Sequence, residues 1–223
     1  IYVTHTFDDT KRNGSVQKIS PDKTVSPLCS NLVDPRQVEW GGGTQFGDYL
    51  YVSDRQETAN YGYYGEITKI DLQGNKTPFC GGVNQPDPIE IDRTGNYNNL
   101  LYIGNSAYDK TLKVDSFGGS ASVFSPFPNN SPGSPFDIAF DTTGSYMGGM
   151  FVSVYCGDNY SGGGLFRLDQ NGIESRYADF HSASDIAFDD TMGQDFAGAM
   201  YVAARHVAET KWTLYKVNGS YDT

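Results

Sequence analysis

Oxygen-bearing side chains recur at matching places along this chain. Asp54, Asn105 and Asp158 each follow an apolar-aromatic-apolar triplet, while Asp87, Asp137 and Asp185 precede or open another short apolar pattern. Carboxylates and amides gathered on one rim could supply the roughly six to eight oxygen ligands that Ca²⁺ takes. Glu39, Asp137 and Asp185 are therefore candidate metal ligands. The ordinary alternative is that strand-end Asp and Asn cap turns. A second chemistry lies in the tyrosines. Tyr61, Tyr63 and Tyr64 are interleaved with Gly and Asn after Arg55, and the stretch from Tyr155 to Tyr160 repeats the flavour. Flat amphipathic rings on adaptable loops suit stacking on sugar or contact with protein. The candidate ligand contacts are accordingly Tyr61, Tyr63, Tyr64, Asp54, Asp158 and Tyr160.

Familiar catalytic arrangements are missing from the sequence. It contains no Gly-x-Ser-x-Gly elbow, phosphate loop, dinucleotide fingerprint or His-Glu-x-x-His. The three histidines are His5, His181 and His206, all in or beside expected loops. His5 and His206 fall at nearly equivalent places, which would put them on one rim as a conceivable acid–base or metal pair. Cys29 and Cys80 close equivalent segments of successive units, too far apart for the roughly 4.4–6.8 Å Cα separation of a disulfide. They and Cys156 are expected to be small buried thiols.

A formal charge of −11 and an isoelectric point near 4.5 oppose nucleic-acid binding and adhesion to anionic lipid. No apolar run is long enough for membrane insertion as a helix. Five Asn-x-Ser/Thr acceptors, at Asn13, Asn75, Asn129, Asn159 and Asn218, point to an extracellular or cell-surface location. Because the chain opens at Ile1 without a leader, any signal peptide is expected to have been removed or to lie outside the sequence.

The elements that must position these residues are written in a repeat of roughly fifty residues. Ile1-Tyr2-Val3, Leu50-Tyr51-Val52, Leu101-Tyr102-Ile103, Met150-Phe151-Val152 and Met200-Tyr201-Val202 mark one strand type, b. Ahead of b lies a Gly turn ending in an aromatic, and ahead of that a strand a, such as Asp137-Ile138-Ala139-Phe140-Asp141. After b comes c, where a basic residue sits between apolar ones, as in Leu165-Phe166-Arg167-Leu168. Its long stem covers apolar surface while its charge stays wet. A strand d follows, and Asp71, Asp115 and Asp169 are expected to form the c–d turns.

Four short antiparallel strands per unit predict an all-β fold, a β-propeller of four-stranded blades. The blades are expected near 1–34, 35–85, 86–134, 135–182 and 183–223, within a single domain. The run Pro-x-x-Ile-Ala-x-Asp, then a Gly turn, then a Tyr-Val strand, clearest from Pro135 to Asp141 and Ala183 to Asp189, resembles the NHL and SMP-30-like six-bladed propeller group. The resemblance implies the fold, and for SMP-30-like lactonases a divalent metal held at the channel mouth by Glu, Asn and Asp. Where those enzymes carry Glu-Gly-Pro, this chain has Arg36-Gln37-Val38-Glu39-Trp40.

The strand order reads b-c-d, three complete a-b-c-d units, then a-b-c. About four and a half repeats are thus present, with both terminal blades incomplete and an expected ring of five to seven blades. Three functional readings follow: a secreted module binding carbohydrate or protein on the b–c and d–a rim, a calcium-type hydrolase or lyase at the channel mouth, or an adhesive array forming homo-oligomers through its terminal blades.

Overall fold

The computed structural model describes residues 1–6, 13–58, 62–126, 133–156, 162–190, 198–205 and 211–217, with backbone only at 56–58 and 62–63. Among them all regular structure is β, and no helix is long and apolar enough to cross a membrane. The first sheet holds β1 (Tyr2–His5), β2 (Gly14–Ile19) and β3 (Val25–Leu32). The second holds β4 (Asp34–Trp40), β5 (Leu50–Thr58), β6 (Gly62–Ile70) and β7 (Lys76–Val83). Next come β8 (Pro86–Ile91), β9 (Leu101–Asn105), β10 (Lys110–Val114) and β12 (Ser122–Ser125), with β11 (Gly119–Ser120) lying between the last two in sequence. A fourth sheet comprises β13 (Gly133–Phe140), β14 (Met150–Cys156), β15 (Gly164–Leu168) and β16 (Glu174–Ala178). The fifth comprises β17 (Ser182–Phe188), β18 (Met200–Arg205) and β19 (Thr213–Val217).

Neighbouring strands within a sheet follow sequence order and pair antiparallel, with one exception. The short β11 runs parallel to β7, so the turn between the third and outermost strands of one sheet becomes a fifth strand of the sheet before it. This covers an edge that would otherwise offer unpaired backbone groups. The c–d turns press on the preceding sheet elsewhere too. A Cβ on Gly74 would stand 2.0 Å from Leu28 O, and one on Gly172 2.1 Å from Phe124 O. Both glycines have positive φ, at +87° and +79°, so no other residue meets both demands.

The cores lie between sheets. On the b strands of the second, third and fourth sheets the central aromatic faces the following sheet and its two apolar neighbours face the preceding one, as the strand period of two requires. Tyr51, Tyr102 and Phe151 are consequently buried. Each meets the outer-strand aromatic of its own sheet edge-on, with centroid distances of 4.8 Å to Phe79, 4.9 Å to Phe124 and 5.0 Å to Tyr177. Phe140 and Phe188, from the next sheet's inner strand, complete two of these clusters at 5.5 and 5.7 Å.

Hydroxyl groups then bolt the sheets together. Tyr97 Oη donates to Leu168 O at 2.7 Å and accepts from Met150 N at 2.8 Å, spanning from the third sheet to the fourth. Tyr146 repeats the link one sheet on, accepting from Met200 N at 2.9 Å and donating to Val217 O. Both tyrosines are set by an aspartate at the end of strand a. Asp92 accepts from the amides of Thr94, Gly95, Tyr97 and Asn99, and Asp141 accepts from those of Thr143, Gly144, Tyr146 and Gly148.

Among the described residues the strand order expected from sequence is thus observed, including three-stranded first and last sheets. Among the described elements no extensive packing joins those two sheets. Leu214 shows the consequence: its counterparts Val16, Ile67 and Leu165 are fully buried, whereas Leu214 is 68% exposed.

Two stability measurements check this account. Tyr97→Phe, which keeps the ring but strands Met150 N and Leu168 O, is expected to lower unfolding free energy by about 1–3 kcal/mol. Leu165→Ala is expected to cost about 2–5 kcal/mol, and Leu214→Ala under about 0.5 kcal/mol, by denaturant titration.

Candidate functional site at the inner rim

All four full-length inner strands break register at the same place. The pairing with the neighbouring b strand shifts between Pro35 and Val38, Pro86 and Ile89, Pro135 and Asp137, and Ala183 and Ile186. Proline has no N–H for the ladder, so three of the four bulges begin at a residue that cannot donate to it. A bulge re-aims the residues within it. Here it sets Arg36, Asp87, Phe136 and Ser184 at one level on successive strands, because β4 packs on β8, β8 on β13 and β13 on β17. Polar side chains fix the kinks. Ser53 Oγ accepts from Gln37 N at 3.0 Å and donates to Asp87 O at 2.9 Å, and Ser153 Oγ donates to Ser184 O. One residue further along, Gln37 Oε1 accepts from Ile89 N at 2.8 Å and Asp137 Oδ2 from Ile186 N at 2.7 Å, linking adjacent sheets.

One side of this rim is ionic. Asp87 pairs with Arg55 Nη2 and, at 3.3 Å, with Arg36 Nε, while Arg36 also lies 3.6 Å from Asp34. Burial lowers the Arg55 pKa, with Asp87 opposing that shift. The other side is aromatic. Phe136 lies 5.7 Å from Tyr155, and Tyr155 stacks on Trp212 at 6.3 Å with only 11° between their planes. Phe136 is 41% exposed and Trp212 48%. Beside them Asp185 is exposed and accepts from Ser184 Oγ at 2.9 Å.

The expected acidic ring is not assembled. Asp54, anticipated as an exposed ligand contact, is buried, and its carboxylate accepts from Val33 N and Asp34 N at the entrance to β4. Asp137 spends both oxygens on backbone amides, Ile186 N and Ile138 N. Glu39 lies two residues further along its strand and pairs with Arg93 at 2.6 Å. Among the described residues no three His, Cys, Asp or Glu side chains gather closely enough to hold a metal ion. The candidate set of Glu39, Asp137 and Asp185 therefore does not fit Ca²⁺, whose ligands must converge.

Other sequence candidates fall in varied places. Tyr64 is 60% exposed on β6, whereas Tyr61, Asp158, Tyr160, His206, Asn129, Asn159, Asn218 and the side chain of Tyr63 lie outside the described residues. Asn13 and Asn75 are exposed, as is His5. His181 lies in the bend before β17, beside a loop as expected, and is buried. All three cysteines are buried and free. Phe136, Tyr155 and Trp212 carried no signal as a group, because they come from three strand environments in two sheets. Pro135 before Phe136 was the available clue, since a proline inside an inner strand marks a bulge.

Burial raises three inner-strand carboxylates. Asp137 is pushed to about 7, its two amide donors opposing the shift. Glu39 is also raised by burial, against Arg93, and Glu90 is held well above the usual range by burial and then by the charges of Glu39 and Asp137.

No protein-family model and no curated protein matches the chain in sequence. Solved structures do match in fold. A luciferin-regenerating enzyme aligns at 10% identity and a TM-score of 0.64, over 94% of this chain and 75% of its own. Regucalcin from Agrobacterium tumefaciens, a calcium-binding protein, aligns at 15% and 0.61, over 95% and 75%. Virginiamycin B lyase from Staphylococcus aureus aligns at 10% and 0.58, over 93% and 64%. At these identities the likeness is one of fold, a β-propeller, as the strand motifs imply.

The raised carboxyl of Asp137 has a measurable consequence. Folding favours its protonated form, so its contribution is fully present below the ordinary value of 3.8 and is lost as pH rises through about 7. Asp137→Asn, which cannot ionise, is expected to show a shallower fall in stability between about pH 4 and 7, read from denaturant midpoints across that range.

Proposed function

We propose that this chain is a non-enzymatic binding module that takes a carbohydrate or protein ligand on its inner rim. The carrying observation is the division of labour there. The acids near the rim are largely engaged in holding strands together, while Phe136, Tyr155 and Trp212 form a partly exposed aromatic row with no such task. Aromatic rings that are fixed in place yet open to solvent lose little entropy on binding and bury much area. An extracellular or cell-surface setting belongs to the same reading, supported by the exposed acceptors Asn13 and Asn75.

A second reading, hydrolase or lyase chemistry at the inner edge, is favoured by the raised pKa values of Glu39, Glu90 and Asp137 and by structural neighbours that are named as enzymes. Perturbed carboxylates accompany catalysis, but ion-pair and structural networks perturb them as well. The binding reading is preferred because two of the three acids have structural partners: Glu39 in Arg93, and Asp137 in two amides.

A glycan array and a panel of purified extracellular proteins, probed with wild type and with the Phe136→Ala/Trp212→Ala double variant, separate the two. The binding reading expects at least one ligand whose signal falls roughly tenfold or more in the double variant at unchanged thermal stability. Retained binding in that variant, or turnover of lactone or glycan substrates that Glu90→Gln abolishes, would overturn it.

A further inference from the structure

We infer that Phe136, Tyr155 and Trp212 form a stacking platform for a neutral glycan, with Asp185 and Ser184 as hydrogen-bonding groups at its side. This rests on the binding reading above and names its ligand class. Three features converge on it. Tyr155 and Trp212 come from different sheets, yet their rings lie within 11° of parallel, and Phe136 extends the row at 5.7 Å from Tyr155. Interior aromatic pairs in this protein are mostly edge-on, as between Tyr102 and Phe124 at 74° and Phe151 and Tyr177 at 82°. The near-parallel pair therefore stands apart from the packing of the cores, and it lies at the surface. A pyranose ring has an apolar C–H face that stacks on such a plane and a rim of hydroxyls that needs polar partners.

Those partners stand on the adjacent inner strand. Ser184 and Asp185 occupy the bulge next to that of Phe136, and Asp185 is exposed. A carboxylate there accepts hydrogen bonds from sugar hydroxyls. The charge of the chain selects among glycans. A formal charge of −11 and the exposed Asp185 disfavour uronic acids and sulfated sugars, leaving neutral hexopyranose chains as the fitting class. A protein ligand would draw less from the parallel pair, because an outward ring face with a flanking carboxylate matches the two-faced chemistry of a sugar more closely than a mixed side-chain surface.

The chain has two tryptophans, Trp40 and Trp212, so Trp40→Phe leaves Trp212 as the sole indole reporter. Fluorescence titration of that variant with neutral gluco-, manno- and galacto-oligosaccharides is expected to give a saturable change, and polygalacturonate none. Saturation-transfer NMR on the unaltered protein provides the same readout should Trp40→Phe fail to fold. Trp212→Ala is expected to abolish the NMR transfer, Phe136→Ala to weaken binding roughly tenfold, and Phe117→Ala, at an exposed position in the turn after β10 of another sheet, to change nothing. Absence of any response to neutral oligosaccharides, or transfer that survives Trp212→Ala, overturns the inference. If the sugars fail while a panel protein binds and is lost in Phe136→Ala, the glycan inference falls and the rim reading stands. If neither binds, both fall.

Discussion

The interface between successive sheets depends on one residue used twice, a tyrosine in the turn between strands a and b whose hydroxyl reaches into the next sheet. Tyr97 and Tyr146 each take an amide and a carbonyl from strands b and c of the following sheet. Buried polar groups are costly when unpaired, so each hydroxyl removes two such costs at once. Its ring meanwhile packs against the aromatics of both sheets, with Tyr97 at 6.1 Å from Tyr102 and 5.2 Å from Phe140. One side chain thereby supplies area, register and polarity to the same boundary. Phe46 stands at the corresponding place in the second sheet and contributes the ring alone, with Tyr51 Oη turned back to Phe46 O at 2.7 Å. The scaffold therefore accepts either residue there, and differs in how firmly neighbouring sheets are tied.

That boundary fixes the relative height of the inner strands, and the rim inherits its geometry from them. Each proline-initiated bulge would leave a mobile kink by itself. Serine hydroxyls from strand b, Ser53 to Gln37 N and Asp87 O and Ser153 to Ser184 O, together with Gln37 and Asp137, whose side chains bridge to the next inner strand, hold the bulges in place. Glycines complete the fit: a Cβ on Gly14 would meet Pro35 Cδ at 2.1 Å, and one on Gly65 would meet Pro86 Cδ at 2.2 Å. The prolines that start the bulges are thus wedged against backbone of the sheet before, which fixes the level at which Arg36, Asp87 and Phe136 appear.

The same economy explains the fate of the acids. A carboxylate near a strand end is placed where backbone amides lack ladder partners, and two to four N–H donors at 2.7–3.2 Å satisfy both needs. Asp54, Asp92, Asp137 and Asp141 all serve in this way. An acidic chain with a formal charge of −11 can therefore have an inner edge on which few carboxylates are available to a ligand, and on which the exposed chemistry is aromatic.

The sequence by itself determined the strand types, their order and the shape of the terminal sheets. Those follow from local rules: alternation along a strand, the turn residues between strands, and the recurrence of Tyr2, Tyr51, Tyr102, Phe151 and Tyr201 at one register. Tertiary structure alone decided which of the chemically able residues were free. Nothing in the neighbourhood of Asp54 announces that Val33 and Asp34 will turn their amides toward it. Nor does local sequence separate Leu214 from Leu165, since the difference is whether another sheet covers that face. Tyr155 and Trp212 stack because the core shared by the fourth and fifth sheets holds those sheets together. A residue's type and spacing state what it can do, but whether it is occupied depends on contacts from distant parts of the chain, and those exist only once the sheets are packed.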